Sequence, residues 1–517
     1  MDKKYLVGID IGTTGAKAII TDFDGQVLSS GYHEYTCEYP KPNWVEQDVD
    51  MIVGKSMEAT NDAVTEAGID PDLVAGISFS TQRCCTIFVD REEQLVRPMI
   101  SWQDNRTSAE VEEIRELLTD KEFYKITSFP QSTTWMLSKI LWLRKNEPEN
   151  WEKTAKIVQL HDYTARAWGA EEFIVDYPDA VFFGLWNPVK MAWDQRLMEL
   201  AGVTEEMLPK PMPSSSLMGT LSPKAAELTG LAAGTPLCVG AGDQNAAAVG
   251  AGIVERGNLS VSLGTAGLAA AFVDEPYDDP DCRTMVTNHA IEGAWQVEGY
   301  QAGAGSVLRW FRDEIAQSEK NAAEIVGADV YHVINKMISE VPAGSKGLVL
   351  MPYWASATTP RWNAQARGAI VGLTFAHDRK CVARAFMEGI ILEVNDMINS
   401  LLKSGVDISD IHILGGATKS TTWNQIQADV YNRPVKTLQN SDAAPLGAAI
   451  LAGAGVGVFE SIKEGSKKFV KLKDTCEPIP ANAEVYAELY DIYCTMYEAF
   501  QENGIYEKIA AFQEKNC

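Results

Sequence analysis

The stretch Tyr5–Phe23, YLVGIDIGTTGAKAIITDF, decides the fold. Tyr5 to Ile9 is apolar and β-prone, Gly12 to Gly15 is turn material, and Ala16 to Phe23 is apolar and β-prone again. The spacing is neither that of a P-loop nor that of a Gly-x-Gly-x-x-Gly segment opening a helix. It reads as strand, loop, strand. Asp24-Gly25 then supplies a hairpin turn into QVLSSGYHEY. A Gly/Thr loop therefore sits inside an antiparallel meander, with no helix dipole behind it.

The loop occurs twice. NLSVSLGTAGLAAAFVDE, Asn258 to Glu275, is again a β-prone run, a Gly-Thr-x-Gly loop and a second apolar run. Gly12, Thr13, Thr14 and Gly15 correspond to Gly264, Thr265, Ala266 and Gly267. A duplication half a chain apart implies two related domains. Glycines with open φ and threonine hydroxyls bring donors to an anion, so two such hairpins across a cleft suit the two ends of a polyphosphate.

Composition agrees with an ordinary soluble globular protein, and the length with two domains. The chain has 517 residues, 46% hydrophobic and 22% charged. A formal charge of −26 argues against nucleic-acid and anionic-membrane surfaces. The nine cysteines are scattered without a C-x-x-C pair, which fits a reduced cytoplasm. No signal peptide is read at the N-terminus, and GAAILAGAGVGVF is too short and Gly-rich to span a bilayer.

Before the second loop stands CVGAGDQNAAAVGAGIVERG. A strand, Pro236 to Gly240, delivers Asp243-Gln244-Asn245 and turns into a small-residue helix. A carboxylate there is placed for catalysis or for capping the helix, and the nearby phosphate loop favours catalysis. Further on, IHILGGATKSTTWNQIQADVYNRPV reads as a strand, a Gly-Gly turn and a helix with Trp423, Ile426 and Val430 on one face. With the small-residue helix in SDAAPLGAAILAGAG it is expected to form a flat adenine slot beside Gly415-Gly416. The stripe Val382, Phe386, Ile390, Val394, Ile398 reads as core.

These motifs, in this order along nearly the whole chain, resemble the FGGY carbohydrate kinases. GIDIGTTGAKA is similar to the family's first phosphate motif, SWQDNR to its Trp-x-Asp-x-Arg element, and WMLSKILWLRKN to its first signature. VDYPDA resembles a Thr-Asp-x-Ser-Asp-Ala segment of xylulokinases, GAGDQNAAAVG the catalytic-Asp motif, and SLGTAG the second phosphate motif. ARGAIVGLTFAHDRKCVARAFMEGI is similar to the second signature and LGGATKSTTWNQIQADV to the adenosine motif.

The resemblance implies an α/β fold of two actin-like, hexokinase-like (ribonuclease H-like) ATPase domains around a central cleft, residues 1–250 and 251–517. It implies ATP with Mg²⁺, Asp243 as general base, and Asp10 as the metal-side aspartate. Thr13, Thr14, Gly15, Lys17, Gly264 and Thr265 match phosphate positions; Gly305 and Arg309 match the nucleotide cleft; Gly416 and Ser420 match the adenosine side. A homodimer is one of the assemblies it allows.

The substrate side is mixed. ISFSTQRCCTIFVD has Gln82-Arg83 as in glycerol kinases but Cys84-Cys85 where those carry Glu-Thr. Trp102-Gln103-Asp104 leans the same way, whereas Asp176 to Ala180 lean toward xylulokinases, and Thr134 stands near a substrate-stacking Tyr of glycerol kinases. Gln82, Arg83, Trp102, Asp104 and Gln244 are expected to contact or frame a small sugar or polyol. The expected acceptor is a ketopentose hydroxyl, D-xylulose foremost. Alternatives are glycerol, erythritol or another polyol, and a linear signalling sugar such as autoinducer-2. The rival class is a non-catalytic sugar or nucleotide sensor on the same fold, which retention of Asp10, Asp243 and both loops disfavours. Vicinal Cys84-Cys85 reads as small apolar packing in preference to a redox pair.

Overall fold

The computed structural model describes residues 3–516. The chain forms two compact units, and each is built from more than one stretch of sequence. The first comprises residues up to Glu255 together with Phe272–Val297 and Asp442–Lys471. The second comprises Arg256–Ala271, Glu298–Ser441 and residues from Leu472 onward.

The first unit is organised by a mixed sheet of β1 (Tyr5–Ile11), β2 (Gly15–Asp22), β3 (Val27–Glu34), β4 (Val74–Thr81), β5 (Leu217–Thr220) and β6 (Pro236–Gly242). Its order is β5-β6-β4-β1-β2-β3. The opening meander forms as the apolar runs require, with β1 antiparallel to β2 and β2 antiparallel to β3. Strands β1, β4 and β6 are parallel neighbours.

Both faces of this sheet are covered. Helix α1 (Val49–Ala67) starts where Asp48 accepts from the Met51 amide and stops at Gly68, φ +59°. Its buried stripe, including Val49, Ile52, Val53, Met57, Ala63 and Val64, packs with Val7, Ile9 and Ile11 of β1. Leu6 points to the other face, among Leu446, Ala449 and Ile450. Those belong to a late helix, Ala443–Gly455, so the small-residue helix expected beside the adenine is instead a core element of the first unit. Its glycines and alanines serve close packing: a Cβ on Gly447 would lie 1.8 Å from the Ala246 carbonyl oxygen, and one on Gly8 would lie 2.0 Å from that of Pro445.

The second unit repeats the plan. Strands β7 (Gly257–Leu263), β8 (Gly267–Val273), β9 (Trp295–Gln301), β10 (Ile408–Leu414), β11 (Val435–Leu438) and β12 (Leu472–Cys476) run in the order β9-β8-β7-β10-β11-β12. As in the first unit, a hairpin (β7 antiparallel to β8) is followed by two parallel pairings (β7 with β10, β10 with β11) and an antiparallel edge. The 25-residue helix Arg379–Lys403 buries Phe386, Ile390, Val394 and Ile398 as expected, with Val382 half-buried. No helix among the described residues is long and apolar enough to cross a membrane.

Two measurements check this packing. Gly8→Ala drives a methyl into helix backbone and is expected to cost at least about 2 kcal/mol in urea denaturation. Gly54→Ala, where a Cβ on α1 meets nothing within 4 Å, is expected to be neutral or to stabilise by up to about 1 kcal/mol. Equal stability of the two variants would contradict the seating of the late helix on β1.

The re-entrant segment Phe272–Val297 offers a pH test. His289 is buried and neutral, its Nε2 paired with the Ile253 carbonyl at 3.0 Å and its Nδ1 accepting from the Ile291 amide at 3.0 Å. Burial pulls its pKa down to about 4. The unfolded chain takes up the proton nearer 6.5, so this contribution is intact above about 6.5 and is lost as the pH falls toward 4. His289→Asn is expected to be less stable than the parent at pH 7, with the gap narrowing at pH 4.5; parallel denaturation curves would sink the assignment.

Candidate active site

The parallel register sets Asp10 opposite Ser80 and Gly242 opposite Thr81. The carboxyl ends of β1, β4 and β6 thus lie side by side and deliver Asp10, Gln82-Arg83 and Asp243 to one edge. Asp243 is the first residue of helix α2 (Asp243–Gly250), with Gly242 at the N-cap and no side-chain capping bond. The N-cap position itself is thus taken by Gly242, with Asp243 one residue inside the helix. Its carboxylate is 31% exposed, and Oδ1 lies 3.3 Å from Arg83 Nε. The Arg83 guanidinium sits 4.4 Å from the centre of the Phe182 ring, and Nη1 donates to Asn245 Oδ1 at 3.4 Å. Asn245 in turn donates to Thr287 Oγ1 and the Asn288 carbonyl. A Cβ on Gly242 would lie 2.2 Å from Asp179 Oδ1 and 2.5 Å from Arg83 Cδ, so a glycine must precede the aspartate.

The neighbourhood is rich in carboxyl groups. Asp10 accepts from Ser80 Oγ at 2.7 Å, yet burial, with Asp243 and Asp442 adding, pushes it up to about 7. Lys17 Nζ pairs with Asp442 Oδ2 at 2.6 Å. Burial also raises Asp176 and Asp179, both inside the VDYPDA segment. Among the described residues no three His, Cys, Asp or Glu side chains converge into a metal cage. A single carboxylate such as Asp10 suits a hard divalent cation that keeps water and phosphate ligands.

In the Gly/Thr hairpins none of Gly12, Gly15, Gly264 and Gly267 has a positive φ. A steric role is seen at two of the four: a Cβ on Gly15 would lie 2.6 Å from Tyr32 Oη and one on Gly267 would lie 2.5 Å from Gln301 Oε1, whereas a Cβ on Gly12 or Gly264 would meet nothing closer than 3.5 Å. In the first loop the Gly12 amide donates to the Gly15 carbonyl, leaving Thr14 exposed and Thr13 half-buried. In the second unit Gly264 and Thr265 are exposed, and their carbonyls accept the Gly305 and Ser306 amides at 2.8 and 3.1 Å. Arg309 is exposed on the same short helix, Gly305–Trp310. Gly416 is exposed with open space where a Cβ would stand, whereas Ser420 caps helix α3 (Thr421–Tyr431) by accepting from the Trp423 amide.

Comparison with known proteins decides the family. Residues 5–250 match the N-terminal domain of the FGGY family of carbohydrate kinases, and residues 259–456 match its C-terminal domain. The chain belongs to this family. It is 30% identical over 495 residues to a xylulose kinase of Bacillus subtilis, covering 96% of this chain and 97% of that one. It is 30% identical over 518 residues to a gluconokinase of Bacillus licheniformis, covering 98% of each. The structure of a ligand-bound xylulose kinase from Lactobacillus acidophilus superposes with a TM-score of 0.89 at 26% identity, over 96% of this chain and 98% of that one. This FGGY kinase is thus an ATP-dependent phosphotransferase with a sugar alcohol group as acceptor, on a two-domain α/β fold with mixed sheets.

Among the residues expected to frame the sugar, Trp102 Nε1 donates to Thr13 Oγ1 at 3.0 Å, and Gln82 is buried. Asp104 is fully buried, and its oxygens accept from the Val45 amide, the Arg106 amide and the Arg106 guanidinium at 2.6 to 3.0 Å. It braces the loop that presents Trp102. Gln244 is half-buried on the helix behind Asp243. Cys84 and Cys85 are free and buried, and burial raises both thiols, Cys85 to about 12, which leaves them as packing.

Lys139 and Gln47 are site residues that sequence reasoning missed. Fully buried Lys139 donates to the carbonyls of Cys84, Ser101 and Thr134 at 2.9 to 3.1 Å, tying together the three segments that carry them. Its signal was a lone lysine inside the apolar run WMLSKILWL. Gln47 had no local signal.

Arg83→Met removes the cation beside Asp243 while keeping the contact with Phe182. It is expected to lower kcat/KM for the sugar roughly 10- to 150-fold with KM for ATP changed less than about two-fold. Steady-state kinetics with both substrates varied checks this; equal losses on both sides would contradict a sugar-side role.

Proposed function

We propose that this kinase transfers the γ-phosphate of ATP to a hydroxyl of a neutral ketopentose, D-xylulose foremost. The observation carrying the choice is the pairing of its cations. Arg83 stands against Asp243 and Lys17 against Asp442, while Lys139 is engaged by three carbonyls. A substrate carboxylate, as in gluconate, would enter a neighbourhood of Asp10, Asp243 and Asp179 whose positive charges already have partners. A neutral polyhydroxy chain meets donors and acceptors there without that repulsion.

In this reading Asp243 accepts the proton of the attacking hydroxyl, and its exposed carboxylate is the only part of the Arg83–Asp243–Asn245 set that needs to reach it. Arg83 keeps the carboxylate oriented. Positioning matters more than basicity, because the proton leaves late in a loose phosphoryl transfer. Thr13, Thr14, Gly15 and Lys17 are assigned to the phosphates, with Gly264, Thr265, Gly305, Arg309, Gly416 and Ser420 as the nucleotide contacts of the second unit. When bound, Mg²⁺ neutralises phosphate charge, and Asp10 is the carboxylate assigned to it, through water.

The test is ADP release with D-xylulose, D-ribulose, glycerol, erythritol, autoinducer-2 and gluconate as acceptors. D-Xylulose is expected to give the highest kcat/KM, and Asp243→Asn to lower kcat by roughly 10²- to 10⁴-fold. A preference for gluconate or glycerol would overturn the substrate assignment. No stimulation by any acceptor would favour a sensor.

A further inference from the structure

The sugar-side segment and the phosphate hairpin are joined by a chain of side-chain amides. Gln47, 1% exposed in the short strand Glu46–Gln47, donates from Nε2 to the Thr13 carbonyl at 2.9 Å. Its Oε1 accepts from Gln82 Nε2 at 3.0 Å. The direction of this chain is fixed by chemistry. The Thr13 carbonyl can only accept, so the NH₂ of Gln47 must face it and its oxygen must face Gln82. The NH₂ of Gln82 then faces Gln47, and Gln82 Oε1 is left buried without a hydrogen-bond partner.

A buried acceptor in that state calls for a donor, and a sugar hydroxyl is one. Donation to Gln82 Oε1 polarises its amide and strengthens the bond it gives Gln47. The same effect passes through Gln47 to Thr13, because hydrogen bonds in series reinforce one another. Thr13 is held on its other side by Trp102 Nε1, and the preceding Gly12 carbonyl by the Tyr35 hydroxyl at 2.6 Å. The hairpin is thus suspended from residues of three segments, those of Gln47, Trp102 and Tyr35.

We propose that Gln47 is a positioning residue that reports sugar occupancy at Gln82 to the Gly12–Gly15 hairpin. The hairpin then takes its phosphate-gripping form fully only when an acceptor is present, which limits loss of ATP to water. The proposal rests on the reading of Gln82 as a sugar contact.

The experiment compares the full-length parent with Gln47→Met and Gln47→Glu. It reads hydrogen exchange at the hairpin amides with and without sugar, sugar affinity by calorimetry, and the ratio of sugar-stimulated to sugar-free ADP release. In the parent, sugar is expected to slow hairpin exchange. Gln47→Met should keep sugar affinity within about three-fold, lose that slowing, and lower the stimulation ratio at least about ten-fold. Gln47→Glu keeps the acceptor for Gln82 but loses the donor to Thr13, so it should resemble Gln47→Met. An unchanged ratio would overturn the proposal, as would equal losses of the stimulated and sugar-free rates, the mark of a purely structural role. Parent-like behaviour of Gln47→Glu would overturn it too. If no sugar bound the parent, the reading of the site would fail separately. The relay would then stand or fall on sugar-free exchange, which Gln47→Met should speed several-fold.

Discussion

The parallel pairing of β1, β4 and β6 is the constraint on which the rest of the first unit depends. Parallel strands end at the same edge, and the observed register brings Asp10, Gln82-Arg83 and Asp243 there from positions scattered over more than two hundred residues of sequence. A slip of one residue in any of the three would turn the delivered side chain to the opposite face. The hairpin that follows β1 shares the edge through its own antiparallel pairing, so the Gly/Thr loop and Asp243 are positioned by one sheet.

That register is held by close backbone packing on the second face of the sheet. Gly8 of β1, Gly250 of the Asp243 helix and Gly447 of the late helix each leave no room for a methyl group. Backbone-to-backbone contact of this kind is stiff, because no side-chain rotamer can absorb a change. It fixes the helix that begins with Asp243 and the one that follows Asp442, and so the two carboxylates whose cations are Arg83 and Lys17. The late helix must leave the second unit's stretch of sequence to do this, which makes the first unit depend on the chain's return.

The hairpins, the strand ahead of Asp243 and the core stripe of the long helix were legible because each is a local pattern: alternation, Gly-rich turns, and apolar spacing. The residues that escaped are those whose meaning is tertiary. Asp104 looks like a ligand until Arg106 and the Val45 amide are seen to consume both its oxygens. The helix Ala443–Gly455 was read beside the adenosine motif because it follows it in sequence, yet its small residues answer to β1 and to Ala246. The hairpin glycines were read as conformational, yet none has a positive φ, and at Gly15 and Gly267 the constraint is steric, set by Tyr32 and Gln301 lying opposite. Lys139 and Gln47 make their bonds to backbone carbonyls of distant segments, and carbonyls carry no sequence signature.

The electrostatics of the site follow from the same arrangement. Asp10 is half-buried and stands near Asp243 and Asp442, so desolvation and these neighbours raise its pKa and make its deprotonation unfavourable without a compensating positive charge. Lys17 and Arg83 offset only part of this, since Lys17 is paired with Asp442 and Arg83 with Asp243 while burial still outweighs them at Asp10 and Asp179. The free site is thus short of positive charge where a polyphosphate is expected, and a divalent cation arriving with the nucleotide would complete the balance. On the proposed reading, such a site would favour the metal-bound nucleotide over the bare one and a neutral acceptor over an anionic one. One shortage of charge therefore bears on both substrates.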